Sequence, residues 1–182
     1  MTDLKLYMLL LGSKAPGRHV EQHDFFFGIA SSLKDLVADI KAFWPETGGK
    51  IHIDGWRELR CIDGYRITVH TRDEMVEGLP LKLFFINLGG YKENKFEEQH
   101  YTLLTIKNDR AAAFKEAKNT LFFKTQVSSH IDDKYGIDVD DLYEIDELLP
   151  PSHKNKYKVV LTKTDIDSDD KIHLGYFKLT NL

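Results

Sequence analysis

Apolar positions change rhythm along the chain, and each rhythm predicts an element. Residues 4–11 are almost all apolar and end at Gly12, the signature of a strand buried on both faces. After a polar loop with Pro16 and Gly17, residues 20–30 alternate, with Phe25, Phe27 and Ile29 on one face of a second strand. Leu33, Leu36, Val37, Ile40, Phe43 and Trp44 then recur at helical spacing. Ser32 stands as N-cap with Asp35 three residues on, a capping-box variant, and Pro45 stops the helix. Beyond Gly48-Gly49 the segments 51–59 and 65–70 read as two more strands, so the order is β-β-α-β-β.

The same pattern returns downstream. Shifting the chain by 77 residues aligns 4–41 with 81–118 without a gap, and ten of those 38 positions are identical. Asp109 then caps a second helix over 110–123, with Phe114, Ala117 and Leu121 on one face. One further inserted residue aligns His52-Ile53-Asp54 with His130-Ile131-Asp132. Farther on, 56–59 matches 142–145 and 65–67 matches 157–159. This leaves insertions at 133–141 and 146–155, rich in Asp, Gly, Pro and Lys and expected as loops or short extra turns. A tail over 165–182, with a strand at 171–180, has no counterpart in the first copy.

The expected fold is α+β: two pseudo-symmetric β-β-α-β-β units with mostly antiparallel sheet and one helix each. The first repeat spans 1–77, the second 78–164 and the tail strand 165–182. Units this small bury little surface alone, so the two are expected to pack as one globular body.

Core positions change type freely between the copies, but two polar clusters do not. Glu21, Gln22 and His23 reappear as Glu98, Gln99 and His100, and His52 and Asp54 align with His130 and Asp132. In an extended strand Glu21 and His23 share the face of Phe25 and Phe27, while Gln22 points away. His52 and Asp54 likewise share a face. Ionisable pairs at the end of an apolar stripe need partners, and the two clusters are natural partners for each other. Such a group suits general acid/base chemistry or a divalent ion such as Zn, Mn or Fe, with Glu21, His23, His52 and Asp54 as the metal candidates. It equally suits a hydrogen-bonded lock between strands, and no His-x-x-x-His or Cys-x-x-Cys spacing favours the metal.

Other motifs are weaker. Gly12 and Gly89 read as turn positions, and Gly12-Ser13-Lys14 opens no helix, so a phosphate loop is excluded. Asp165-Ile166-Asp167-Ser168-Asp169 imitates a calcium loop but has Asp170 where glycine is needed and Tyr176 where the bidentate Glu belongs. Cys61 reads as a small buried residue, and His19, His70, His153 and His173 follow no pattern.

Composition narrows the function classes. The 182 residues carry a formal net charge of −4, which gives no nucleic-acid footprint. No apolar run approaches the roughly 20 residues a membrane helix needs, and the N-terminal residues lack signal-peptide features. One cysteine permits no intramolecular disulfide. A soluble cytoplasmic protein is expected, a monomer or a two-fold homodimer, with no cofactor identified. It reads as a module binding a small molecule or a protein; the alternative is a small hydrolase or isomerase using the Glu/His/His/Asp cluster.

The leucine-rich strand, Gly12, Glu21-x-His23-Asp24, His52-x-Asp54 and Ile62-Asp63-Gly64-Tyr65-Arg66 together resemble the DUF1543 family of bacterial proteins. The resemblance implies a unit present in one or two copies and covers nearly all of the chain but the tail. It implies no activity. The second copy departs from the pattern, keeping only Tyr157 of Asp63-Gly64-Tyr65 and replacing Asp24 by Tyr101.

Overall fold

The computed structural model describes residues 3–91, 94–120, 138–165 and 170–182. Its contacts divide the chain into two units, Met1–Leu79 with Leu148–Leu182, and Pro80–Glu147.

In the first unit, β1 (Lys5–Ser13) lies between β2 (Gln22–Ala30) and β3 (His52–Glu58), and β10 (His173–Lys178) adds to the far edge of β3. β1 is interior to the sheet and buried on both faces, which is why its sequence is apolar without alternation. Tyr7, Leu9, Leu11, Phe26 and Ile53 line one face and pack on Leu36 and Ile40. Each such buried Leu or Ile contributes roughly 1.5–3 kcal/mol. The helical segment begins as a 3-10 turn, Leu33–Leu36, before α1 (Val37–Phe43). Asp35 Oδ2 accepts from the Ser32 N–H at 3.0 Å and from its Oγ at 2.7 Å, so the capping pair expected from sequence forms.

A second sheet of this unit holds β4 (Cys61–Ile62), β5 (Tyr65–Thr71) and β9 (Tyr157–Lys163). β9, counted with the second copy in the self-alignment, hydrogen-bonds to β5 from Tyr65↔Lys163 to Thr71↔Tyr157. Residues 148–182 therefore group with the first unit.

The second unit has β6 (Lys82–Gly90) between β7 (Gln99–Lys107) and β8 (Asp138–Glu144). Asp109 Oδ1 caps α2 (Arg110–Asn119) by accepting from the Ala112 N–H at 2.8 Å. Ala113 and Ala117 form the buried stripe against Phe84, Ile86 and Leu88. Phe114, expected on that stripe, is 38% exposed, because two alanines let the helix approach the sheet more closely than a phenylalanine would. Leu121 lies outside the described residues.

Residues 138–141, expected within a loop, belong to β8. Pairing with β6 supplies backbone hydrogen bonds that override the weak strand propensity of an Asp-rich segment. The other expected insertion forms short helical turns, α3 (Ile145–Leu148) and α4 (Pro151–Lys156). The strand pairs among the described residues are antiparallel, and the fold is α+β.

Candidate metal centre

Backbone register brings the first unit's polar residues to one place. Gly12 is paired with His23 of β2 on one side and His52 of β3 on the other. One step farther, Leu11 pairs with Ile53 and Leu10 with Gly55, so Asp54 is the extra residue of a β-bulge. Bulges re-aim side chains, and this one keeps Asp54 beside His52 while Ile53 stays in the core. Glu21 enters from the residue just before β2.

His52 Nε2 lies 3.1 Å from Glu21 Oε1 and 3.1 Å from Asp54 Oδ1. His23 Nε2 lies 3.3 Å from Glu21 Oε1 and 3.2 Å from Asp54 Oδ2. Two imidazole nitrogens thus each face the same two carboxylates. One ligand atom each from Glu21, His52 and Asp54 lies within 4.8 Å of the others. Burial is graded: the His52 side chain is 9% exposed, Asp54 26%, Glu21 41% and His23 48%. The cluster has an anchored floor and an open mouth.

Gly12 does not mark a turn. It lies inside β1, and a Cβ there would sit 2.5 Å from Asp54 Oδ2, 2.5 Å from His52 Nε2 and 2.9 Å from Glu21 Oε1. The donors converge over its bare backbone, a close approach that only glycine allows. The Tyr176 ring lies 4.2 Å from that of His52, tilted by 31°. No pattern in the chain points to Tyr176 as a neighbour of the cluster, since the tail has no counterpart in the first copy.

His52 Nε2 and Glu21 Oε1 are hydrogen-bonded at 3.1 Å, as in a lock between strands. Each Nε2 carries at most one proton yet faces two oxygens. Asp54 Oδ2 is shut off from solvent and accepts no hydrogen bond. Ligands about 2.1 Å from a shared ion lie roughly 3.0–3.4 Å apart at octahedral or tetrahedral angles, the spacing of the imidazole–carboxylate contacts here. A dication would also neutralise both carboxylates. The donor set of Glu21, His52 and Asp54 fits a divalent transition metal, with imidazole favouring Zn, Fe or Mn over Ca or Mg.

The remaining predicted residues fall elsewhere. Gln22 turns away, its Nε2 donating to the Val20 carbonyl, and Gln99 does the same to the Glu97 carbonyl at 3.4 Å. Glu98 and His100 are neighbours at 3.7 Å, with His100 Nδ1 3.4 Å from Asn87. His130 and Asp132 lie outside the described residues. The register gives the first cluster a different counterpart. Gly89 pairs with Asp138 as Gly12 pairs with His52, and the same bulge recurs between Asn87 and Leu88. Positions 138, 139 and 140 therefore correspond to 52, 53 and 54, because strand pairing rather than local identity sets the equivalence.

Histidines without a sequence pattern have structural partners. His153 is buried, with Nδ1 accepting from the Ile29 N–H at 3.1 Å and Nε2 3.3 Å from Asp39, while His173 stacks on Trp56 at 3.9 Å. Cys61, expected to be buried, is half-buried in a short strand.

Fold and site define an α+β protein with a two-histidine, two-carboxylate cluster on a sheet. Residues 18–69 match the family model of DUF1543, Domain of Unknown Function, a segment that contains all four cluster residues. The fold is similar to that in the crystal structure of a protein Il1583 from Idiomarina loihiensis, with a TM-score of 0.67 and 22% identity. That likeness covers 97% of this chain and 99% of the other. No curated protein matches the chain.

Proposed function

We propose that the protein is a metal-dependent ligand-binding module whose ion is held by Glu21, His23, His52 and Asp54. The observation that carries this reading is the set of four N···O contacts of 3.1–3.3 Å between two imidazoles and two carboxylates. Asp54 Oδ2, buried without a hydrogen bond, supports it. His52 and Asp54 anchor the ion, and the half-exposed Glu21 and His23 leave room at the mouth for an oxygen or nitrogen ligand from a small molecule.

The chain is further read as two copies of one bacterial DUF1543 unit. The offset self-similarity and the matching register of β1/β2 and β6/β7 around Gly12 and Gly89 support this. The same reading has the protein in the cytoplasm as a monomer or two-fold homodimer that engages neither nucleic acid nor a membrane, in keeping with one cysteine and a net charge of −4.

A second reading, a small metal-dependent hydrolase or isomerase, draws on the exposure of Glu21. In that reading Glu21 serves as general base toward a ligand at the mouth rather than as a ligand of the ion.

Elemental analysis of protein purified without an affinity tag tests the metal. One equivalent of Zn, Fe or Mn per chain is expected, removable by chelation and absent in His52→Ala. Protein without metal that binds none on titration would overturn the reading.

A further inference from the structure

The C-terminal strand β10 lies outside the segment that matches the family model, yet it reaches the metal centre. It pairs with β3 at Leu174↔Gly55 and Phe177↔Ile53, so residues 175 and 176 stand opposite the single residue Asp54. Asp54 is thus flanked by irregular pairing on both sides, its own bulge toward β1 and this one toward β10. Such an extra residue re-aims its neighbours. Here the Tyr176 ring comes to 4.2 Å from the His52 ring, tilted by 31°.

Other side chains anchor β10, so Tyr176 is delivered to a fixed place. His173 stacks on Trp56 at 3.9 Å with the planes 3° apart, and Phe177 packs on the core that holds Leu9, Leu11 and Ile53. Tyr176 itself is 65% exposed, so little of the fold depends on it.

His52 has a use for such a neighbour. Its Nε2 faces the two carboxylates, and among the described residues its Nδ1 has no hydrogen-bond partner. A histidine that ligates a metal almost always has its second ring nitrogen held by a carboxylate, a carbonyl or water, which fixes the plane of the ring. No described side chain or carbonyl does this for His52. A ring laid against one face of the imidazole limits its rotation about the Cβ–Cγ bond and fixes the plane by contact instead.

We propose that Tyr176 is a positioning residue of the metal centre, its ring holding the His52 imidazole in the plane that points Nε2 at the ion. The inference rests on the metal reading of the cluster. It makes the tail strand part of the centre, although the family match ends at residue 69. The role belongs to the face of the ring, so the phenolic hydroxyl is dispensable.

The experiment measures zinc affinity by chelator competition in the full chain, for the parent, Tyr176→Phe and Tyr176→Ala. Tyr176→Ala is expected to lose about 10–100-fold, the usual worth of a group that orients a metal ligand. Tyr176→Phe is expected to bind as the parent does. The absorption bands of the cobalt-loaded protein report ligand geometry, and they should shift in Tyr176→Ala but not in Tyr176→Phe. Melting of the metal-free proteins is expected to be the same for all three. The proposal is overturned if Tyr176→Ala keeps the parent's affinity, or if Tyr176→Phe loses as much as Tyr176→Ala. A metal-free Tyr176→Ala that melts well below the parent overturns it too, because the loss would then belong to folding. A parent that binds no zinc or cobalt fails the metal reading and this inference with it, whereas binding indifferent to Tyr176→Ala fails the inference alone.

Discussion

The two three-strand sets built on β1 and β6 have nearly the same backbone and different chemistry. β1/β2 and β6/β7 each pair over nine positions, and in each set the third strand carries a bulge next to the glycine row. In the first unit the row reads His23–Gly12–His52. In the second it reads His100–Gly89–Asp138. The imidazole position on the third strand of the first row is an aspartate in the second. His23 turns toward Glu21 and Asp54, whereas His100 lies 3.7 Å from Glu98 and reaches Asn87, which stands where the first unit has Leu10. Strand pairing builds the same frame twice, and different residues stand on it.

The contrast breaks most directly at His52. His52→Ala is expected to weaken metal binding by more than about 100-fold in chelator competition, since even residues that only orient a ligand are worth about 10–100-fold. An unchanged affinity would place the ion elsewhere. The paired glycines come next. Gly12→Ala pushes a Cβ into Asp54 and His52 and should cost about 10–100-fold, comparable to disturbing the partners that orient a ligand. Gly89→Ala should leave affinity unaltered, and an equal loss from both would dissolve the distinction between the units.

Thermal melting with and without EDTA sharpens the comparison further. An ion held at about 100 times its Kd adds about 2.7 kcal/mol, so chelation should lower the melting temperature by about 5–10 °C. His52→Ala should show little such drop. His100→Ala is expected to leave metal stoichiometry and affinity as they are, because its position lacks the second imidazole.

The smallest effect serves as a control within the first unit. Hydrogen bonds from His70 and then Thr71 hold the Glu74 carboxyl below its ordinary value of 4.5. A lowered folded value means stability that is present above 4.5 and fades as pH falls through the folded value. Glu74→Gln should therefore flatten the acid end of the stability profile slightly and leave metal binding alone. An acid profile identical to the parent's would remove that contribution.

Much of the site is legible in the sequence. Retention of Glu-Gln-His at 21–23 and 98–100, with alternation placing Glu21 and His23 on one face, picks out one side of the cluster. His52 and Asp54 supply the other. Self-alignment misplaces the counterpart in the second unit, because a short identity at 130–132 outweighs the ladder that puts 138–140 opposite Gly89. Gly12 reads as a turn because a glycine after an apolar run usually ends it. Its actual role depends on side chains from two other strands crossing its face. Phe114 leaves the core because helix-to-sheet distance, not apolar character, selects Ala113 and Ala117.

The elements follow from the order of residues alone. Periodicity, the Ser32 and Asp109 caps, Pro45 and the glycines act on neighbours within a few positions, so they can be read from a string. The same holds for which polar residues share a strand face. Only the folded chain settles that Asp54 occupies a bulge, that β10 brings Tyr176 onto His52, that β9 pairs with β5, and that three donors meet over one bare glycine. Those are matters of which backbones pair and in what register, and residues far apart in the chain settle them through hydrogen bonds that no local pattern encodes.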